Sequence, residues 1–340
     1  MIEKIIFMMM VAISTPALAA GIKGWPVGVC EIQYLSHADQ TLQPALFYAP
    51  KVEGKKPLLV ALHTWSGNYR QPEPDYARWC VQNGWFFIHP HFRGPNWTPQ
   101  ALGSELVVQD IASAVQFALK TYEIDPDRIY LAGVSGGAHA ALLMAGRRPD
   151  IWAGVSAWCG IYDVGQWWKD LGAKNRYSQN IEAACGGCPA TNGKAAEECV
   201  KRSPATYLAN ARAVNLDLNA GVKDGRFGSV PFTHSLRAFN MVAQENDKID
   251  ESDIEQFYKE MKAPPRLLGE VLDPLYGRQT PVLRKISRNV RVTIFNGGHE
   301  IIPAAALNWL AQQRKGSPPV WEIKSPVNFK ALEEVTKSGL

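Results

Sequence analysis

After its first twenty residues the sequence has no apolar run approaching the twenty or so residues a bilayer requires, which leaves no candidate for a membrane-spanning helix. It also lacks a dominant charge. Thirty-six basic and 32 acidic side chains leave a net +4, and the Lys and Arg residues are scattered rather than clustered. A mildly basic chain without basic patches carries no footprint for nucleic acid. Internal repeats and low-complexity segments are absent, and a hydrophobic content of 46% is ample for a sizeable core.

The first twenty residues stand apart. Lys4 gives a basic start, residues 5–14 are an apolar run, and Ala17-Leu18-Ala19 supplies small residues for cleavage. That is the three-part layout of a secretory signal peptide, cleaved near Ala19-Ala20. No cysteine stands at the cleavage point, so a lipid anchor is not expected. The expectation is an exported, soluble mature chain.

Six cysteines (Cys30, Cys80, Cys159, Cys185, Cys188 and Cys199) fit an oxidising compartment and up to three disulfides. Cys185, Cys188 and Cys199 crowd into one Gly-, Ala- and Asn-rich stretch, which predicts a stapled surface segment with at least one bridge. Cys185-Gly-Gly-Cys188 also has the spacing of half a zinc site or of a redox pair. An exported chain with no histidine nearby makes the staple the better reading.

Along the chain, residues 30–48 read as an antiparallel hairpin, two alternating segments around turn residues. Short apolar runs at 58–62, 85–88, 128–132, 152–158, 214–218 and 290–295 then predict strands. Helical spacing appears near 76–82, over 105–122 and 138–146, and around 304–312. Strands alternating with helices predict a mostly parallel sheet covered on both faces, and burial of both faces explains why the central strands are continuous apolar runs rather than alternating ones. The polar, cysteine-bearing stretch at about 166–210 reads as an insertion, a lid or rim. It divides a domain over 21–316, and residues 317–340 read as an extended tail.

Gly133-Val134-Ser135-Gly136-Gly137 lies where a predicted strand meets a predicted helix. A serine hydroxyl is a poor nucleophile unless it is exposed and held against a base. A sharp strand-to-helix turn achieves the exposure and demands small neighbours. The base should follow a later strand, and His299, after two glycines in Asn296-Gly297-Gly298-His299, fits better than His234, which sits at the start of a helix. The orienting acid should follow the preceding strand; Asp224 does, whereas its rival Asp217 lies within that strand. Charge developing on the carbonyl oxygen needs donors. The expected ones are the N–H of Gly136 and that of Thr64 or Trp65, with His63 a buried, hydrogen-bonded residue. Trp65, Trp97, Trp158, Trp167 and Trp168 fall at or after strand ends. Of these, Trp65, Trp158, Trp167 and Trp168 are the expected substrate walls.

The ordered segments LLVALHTWSG, HPHFRGPN, DRIYLAGVSGG, RSPATYL, NAGVKDGRFGSVP and FNGGHE resemble the catalytic domain of the prolyl oligopeptidase family, and that of the small secreted esterases and depolymerases sharing it. The resemblance spans about residues 57–310 and implies an α/β-hydrolase fold with Ser135, Asp224 and His299 as its triad. Peptidases of that family carry a large β-propeller ahead of this domain, for which the chain has no room. Some also use a tyrosine hydroxyl at the oxyanion hole, where Thr64 and Trp65 stand here. The expectation is therefore a serine hydrolase with an open cleft for carboxylic esters, small, polysaccharide-linked or polymeric, and no metal or cofactor. The alternatives are a peptidase for short peptides and an idle hydrolase fold used for binding.

Overall fold

The structure, a computed structural model, describes residues 22–268 and 271–327. The signal peptide expected over 1–20 and the end of the expected tail lie outside the described residues. Strands β1 (Cys30–Leu35) and β2 (Leu42–Tyr48) form the antiparallel hairpin, with Cys30 opposite Phe47. There follow β3 (Lys56–Leu62), α1 (Pro74–Asn83), β4 (Phe86–Pro90), α2 (Glu105–Thr121), β5 (Ile124–Val134), α3 (Gly136–Arg147) and β6 (Gly154–Trp158). Three helices, α4 (Val164–Leu171), α5 (Arg176–Cys185) and α6 (Gly193–Arg202), then separate β6 from β7 (Leu216–Gly221). The chain continues through α7 (Thr233–Val242), α8 (Glu251–Glu260), β8 (Pro281–Ser287), β9 (Val290–Phe295) and α9 (Pro303–Leu310).

Among the described residues the nine strands form one sheet in the order β1-β2-β4-β3-β5-β6-β7-β9-β8. The stretch from β4 to β9 is parallel; antiparallel pairs flank it on both sides. Each central strand sends alternate side chains to opposite layers. Leu58, Val60 and Leu62 join the core under α2, α3 and α7, while Leu59 and Ala61 pack with Trp79 of α1 and Trp309 of α9. β3 and β5 are neighbours that the chain leaves in opposite directions, β3 toward β4 and β5 toward β6, and such a switch point at the carboxyl ends of parallel strands is where sites form in open α/β sheets. No helix of the described residues is long and apolar enough to cross a membrane.

The insertion is helical because its sequence supplies caps. Asp163, Asn175 and Asn192 accept from the first-turn N–H groups of α4, α5 and α6, each cap contributing about 1 kcal/mol. Ile161, Val164, Trp167, Ile181, Ala184 and Ala195 give it a small core of its own. All six cysteines are thiols in this structure.

Candidate active site

Ser135 stands between β5 and α3 at φ 57°, ψ −120°. A non-glycine residue reaches that region only under strain, and the packing around the turn enforces it. A Cβ at Gly133 would stand 2.4 Å from the Gly137 carbonyl carbon, and one at Gly137 would stand 2.3 Å from Leu62 O. The turn is tied to the next strand by the Ser135 N–H, which donates to Trp158 O at 2.8 Å.

Asp224 lies just past β7 and His299 just past β9, on the same edge of the sheet. His299 Nδ1 lies 2.7 Å from Asp224 Oδ2. A fully buried carboxylate accepts only, so Nδ1 carries the proton and the Nε2 lone pair faces away from it. The other oxygen, Oδ1, accepts from Gly225 N–H (3.0 Å) and Val230 N–H (3.2 Å). The rivals are used elsewhere. Asp217 is buried under the sheet against Arg291 at 2.7 Å, with Ser156 and Asn219 donating to it. His234 Nδ1 accepts from Tyr162 N–H at 3.1 Å and its Nε2 meets Asp170 at 3.2 Å, pinning α7 to the insertion.

The loop from Asp224 to Val230 wraps this pair more closely than its sequence indicates. A Cβ at Gly228 would stand 2.2 Å from Asp224 Oδ1 and 2.9 Å from His299 Cβ, so the closeness demands glycine. Ser229 Oγ is 3.3 Å from His299 Nε2. With the proton on Nδ1, the Ser229 hydroxyl is the donor. The Ser229 carbonyl accepts from Trp167 Nε1 at 2.8 Å, which links α4 to the base.

Cys159, just past β6, sets its Sγ 3.5 Å from Glu300 O. Burial, and then the neighbouring Asp224 charge, push its thiol pKa up. The ligand atoms of Cys159, Asp224 and His299 lie within 4.8 Å of one another, the one such group among the described residues. The hydrogen bond between carboxylate and imidazole occupies the atoms a cation would need.

The expected oxyanion donors divide. Gly136 opens α3, where a first-turn N–H has no helical partner, and its added Cβ would stand 2.5 Å from Trp65 N, so the backbones of Gly136 and Trp65 pack against each other. Thr64 requires a correction. Its N–H donates to Gln71 Oε1 at 3.0 Å and its hydroxyl to the same oxygen at 2.7 Å, leaving nothing for a substrate. Gln71 is held in turn by Glu73, whose carboxyl burial pushes up to about 7. Asn96 fixes the other side of this loop, its N–H donating to Trp65 O at 2.9 Å. His63 is the buried residue expected, its Nε2 2.8 Å from His91 O, and burial lowers its pKa to about 4.

The tryptophan walls also need correction. Trp158 is fully buried between Tyr276 and Phe295, its Nε1 donating to Ser156, and reaches no cleft. Trp65 and Trp167 meet edge-on at 4.8 Å inside the core of the insertion, and Trp65 Nε1 donates to Asn180 at 3.1 Å. Trp168 donates to Glu182 and lines a cavity within the insertion. The Trp158, Trp65 and Trp167 rings are packing elements, and the cavity that Trp168 lines includes none of Ser135, Asp224 and His299.

A mostly parallel sheet, a strained serine at the turn between strand and helix and an acid–histidine pair after the later strands define an α/β-hydrolase fold. Within that class the chain belongs to the prolyl oligopeptidase family, which its residues 76–257 match. Among curated proteins it is 28% identical over 127 residues to an acetylxylan esterase of Coprinopsis cinerea, covering 33% of each chain. It is 26% identical over 130 residues to feruloyl esterase B of Talaromyces funiculosus, covering 36% of this chain and 37% of that one. The chain thus spans about a third of the length of these relatives. Its fold resembles the acylaminoacyl peptidase of Pyrococcus horikoshii, with a TM-score of 0.51 and 16% identity over 63% of this chain and 34% of that one. It also resembles prolyl oligopeptidase B of Galerina marginata, with a TM-score of 0.52 and 16% identity over 68% and 35%.

Proposed function

We propose that the protein is an exported serine hydrolase that cleaves carboxylic esters through an acyl-enzyme, with Ser135 as nucleophile, His299 as base and Asp224 as orienting acid. The observation that carries this reading is the 2.7 Å pairing of His299 Nδ1 with the buried Asp224 on the sheet edge where strained Ser135 stands. Ser135 attacks the ester carbonyl as His299 Nε2 takes its proton, and the amides of Gly136 and Trp65 receive the oxyanion. The imidazolium returns the proton to the leaving alcohol, and water then releases the acyl group by the same steps. Export rests on the layout of residues 1–20.

The ester reading draws on the two esterases named above, and the peptidase alternative on the family and its fold neighbours. Matched aryl esters and aminoacyl anilides separate them. We expect kcat/KM on the ester to exceed that on the anilide by at least ~10³, which corresponds to about 4 kcal/mol of transition-state free energy. Comparable values on the two substrates would move the protein to the peptidase class.

Ser229 gives a second test. Neutral Nε2 has one lone pair, so a hydroxyl donated by Ser229 competes with that of Ser135. A net hydrogen bond contributes about 1 kcal/mol, which corresponds to roughly fivefold in rate. Ser229→Ala should therefore raise the rate of fluorophosphonate labelling about fivefold. A slower rate in a folded variant would mean that Ser229 supports the base instead.

A further inference from the structure

Cys185 closes α5 and Cys199 lies in α6, with their sulfur atoms 3.5 Å apart. Both are buried in the small core of the insertion. A disulfide needs its sulfurs about 2.0 Å apart, so closure asks each to move by less than about 1 Å, within the reach of small side-chain rotations. The other cysteines are placed elsewhere. Cys30 Sγ faces Phe47 O on β1, Cys80 is buried in α1 and Cys159 is held at Glu300 O. Cys188, in the loop between α5 and α6, is half-buried. A cavity of about 250 Å³ lined by Trp168, Ala196, Cys199 and Val200 opens beside the pair and gives a small oxidant a way to Cys199. Of the two, Cys199 lines this cavity and Cys185 does not, so Cys199 meets the reagent first.

We propose that Cys185 and Cys199 are a disulfide-forming pair, oxidised by a disulfide reagent, that clamps α5 to α6. The Cys199 thiolate attacks one sulfur of the reagent's disulfide, forming a mixed disulfide and releasing the first reagent thiol. Cys185, deprotonated, attacks Cys199 Sγ and displaces the second. Two thiols and one disulfide become one disulfide and two thiols, and the two electrons pass to the reagent. The clamp bears on the site because α5 also carries Asn180, which accepts from Trp65 Nε1 at 3.1 Å. Trp65 offers one of the two proposed oxyanion amides. This kinetic consequence rests on the function proposed above; the bridge itself does not.

The test is to equilibrate the folded protein with oxidised glutathione, unfold it, alkylate it without reduction and map its peptides. The expected result is a peptide joining Cys185 to Cys199, with Cys188 alkylated. Six alkylated thiols, or a bridge containing Cys188, would overturn the proposal. The same map for Cys188→Ser should still contain the bridge, and its loss there would also count against the pair. Reducing the oxidised protein should lower Tm by roughly 5 °C and ester kcat/KM about threefold, while fluorophosphonate still labels Ser135. Because wild type with and without reductant supplies this comparison, it does not depend on a double variant folding. A bridge without any esterase activity would sustain this inference and refute the function.

Discussion

Ser135→Ala should lower ester kcat by about 10⁶-fold, leaving only the rate that binding and oxyanion donors supply. The variant should fold, because alanine removes one hydroxyl and leaves the turn's backbone contact to Trp158 intact. It should still bind substrate, so KM should change little while kcat collapses. Under this mechanism the hydroxyl is the only group that forms the covalent bond to the acyl carbon. Turnover within tenfold of wild type, in folded protein, would remove Ser135 from the chemistry.

Two buried aspartates near the same strand should respond in opposite ways. Asp224→Asn should cost up to ~10⁴ in kcat with little change in stability. Its amide NH₂ can donate to Nδ1, which drives the imidazole proton to Nε2 and removes the lone pair that must accept from Ser135. Asp217→Asn should leave catalysis by the folded protein within a few-fold of wild type. It should instead destabilise the fold by about 3–5 kcal/mol, because Arg291, itself buried, loses its carboxylate. Denaturant midpoints and kcat measured on both variants separate the roles. An unstable Asp224→Asn beside an inactive but stable Asp217→Asn would reverse the assignment.

The parallel core of the fold is readable because its strands are buried on both faces, which writes 58–62 as an unbroken apolar run and leaves 290–295 interrupted only by Arg291 and Thr293. β8 is illegible in the sequence for the opposite reason. It is an edge strand with Arg284 and Lys285 in its middle, and edges carry charge to discourage pairing with other chains. The helices of the insertion were hidden by polar composition, although Asp163, Asn175 and Asn192 are cap residues placed just where each begins.

At the site, positions set by local chain order were legible. Ser135 follows a strand and precedes a helix, and Asp224 and His299 each follow a later strand in turn. What depended on tertiary contact was not. Whether the Thr64 N–H is free depends on Gln71, whose side chain turns back across a loop. Aromatic rings at strand ends serve equally as walls or as packing, and only the burial of Trp158, Trp65 and Trp167 separates the two. Ser229 had a local signal in the Gly228-Ser229 step beyond Asp224, but its contact with His299 joins two loops 70 residues apart.

The most direct test is to locate the covalent adduct. The folded protein is treated with a fluorophosphonate, digested and mapped by mass spectrometry, in parallel with His299→Ala and Asp224→Asn. The expected result is a single adduct on the peptide containing Ser135, formed far more slowly in both variants. An adduct on another serine, or labelling of Ser135 at an unchanged rate without His299, would contradict the account.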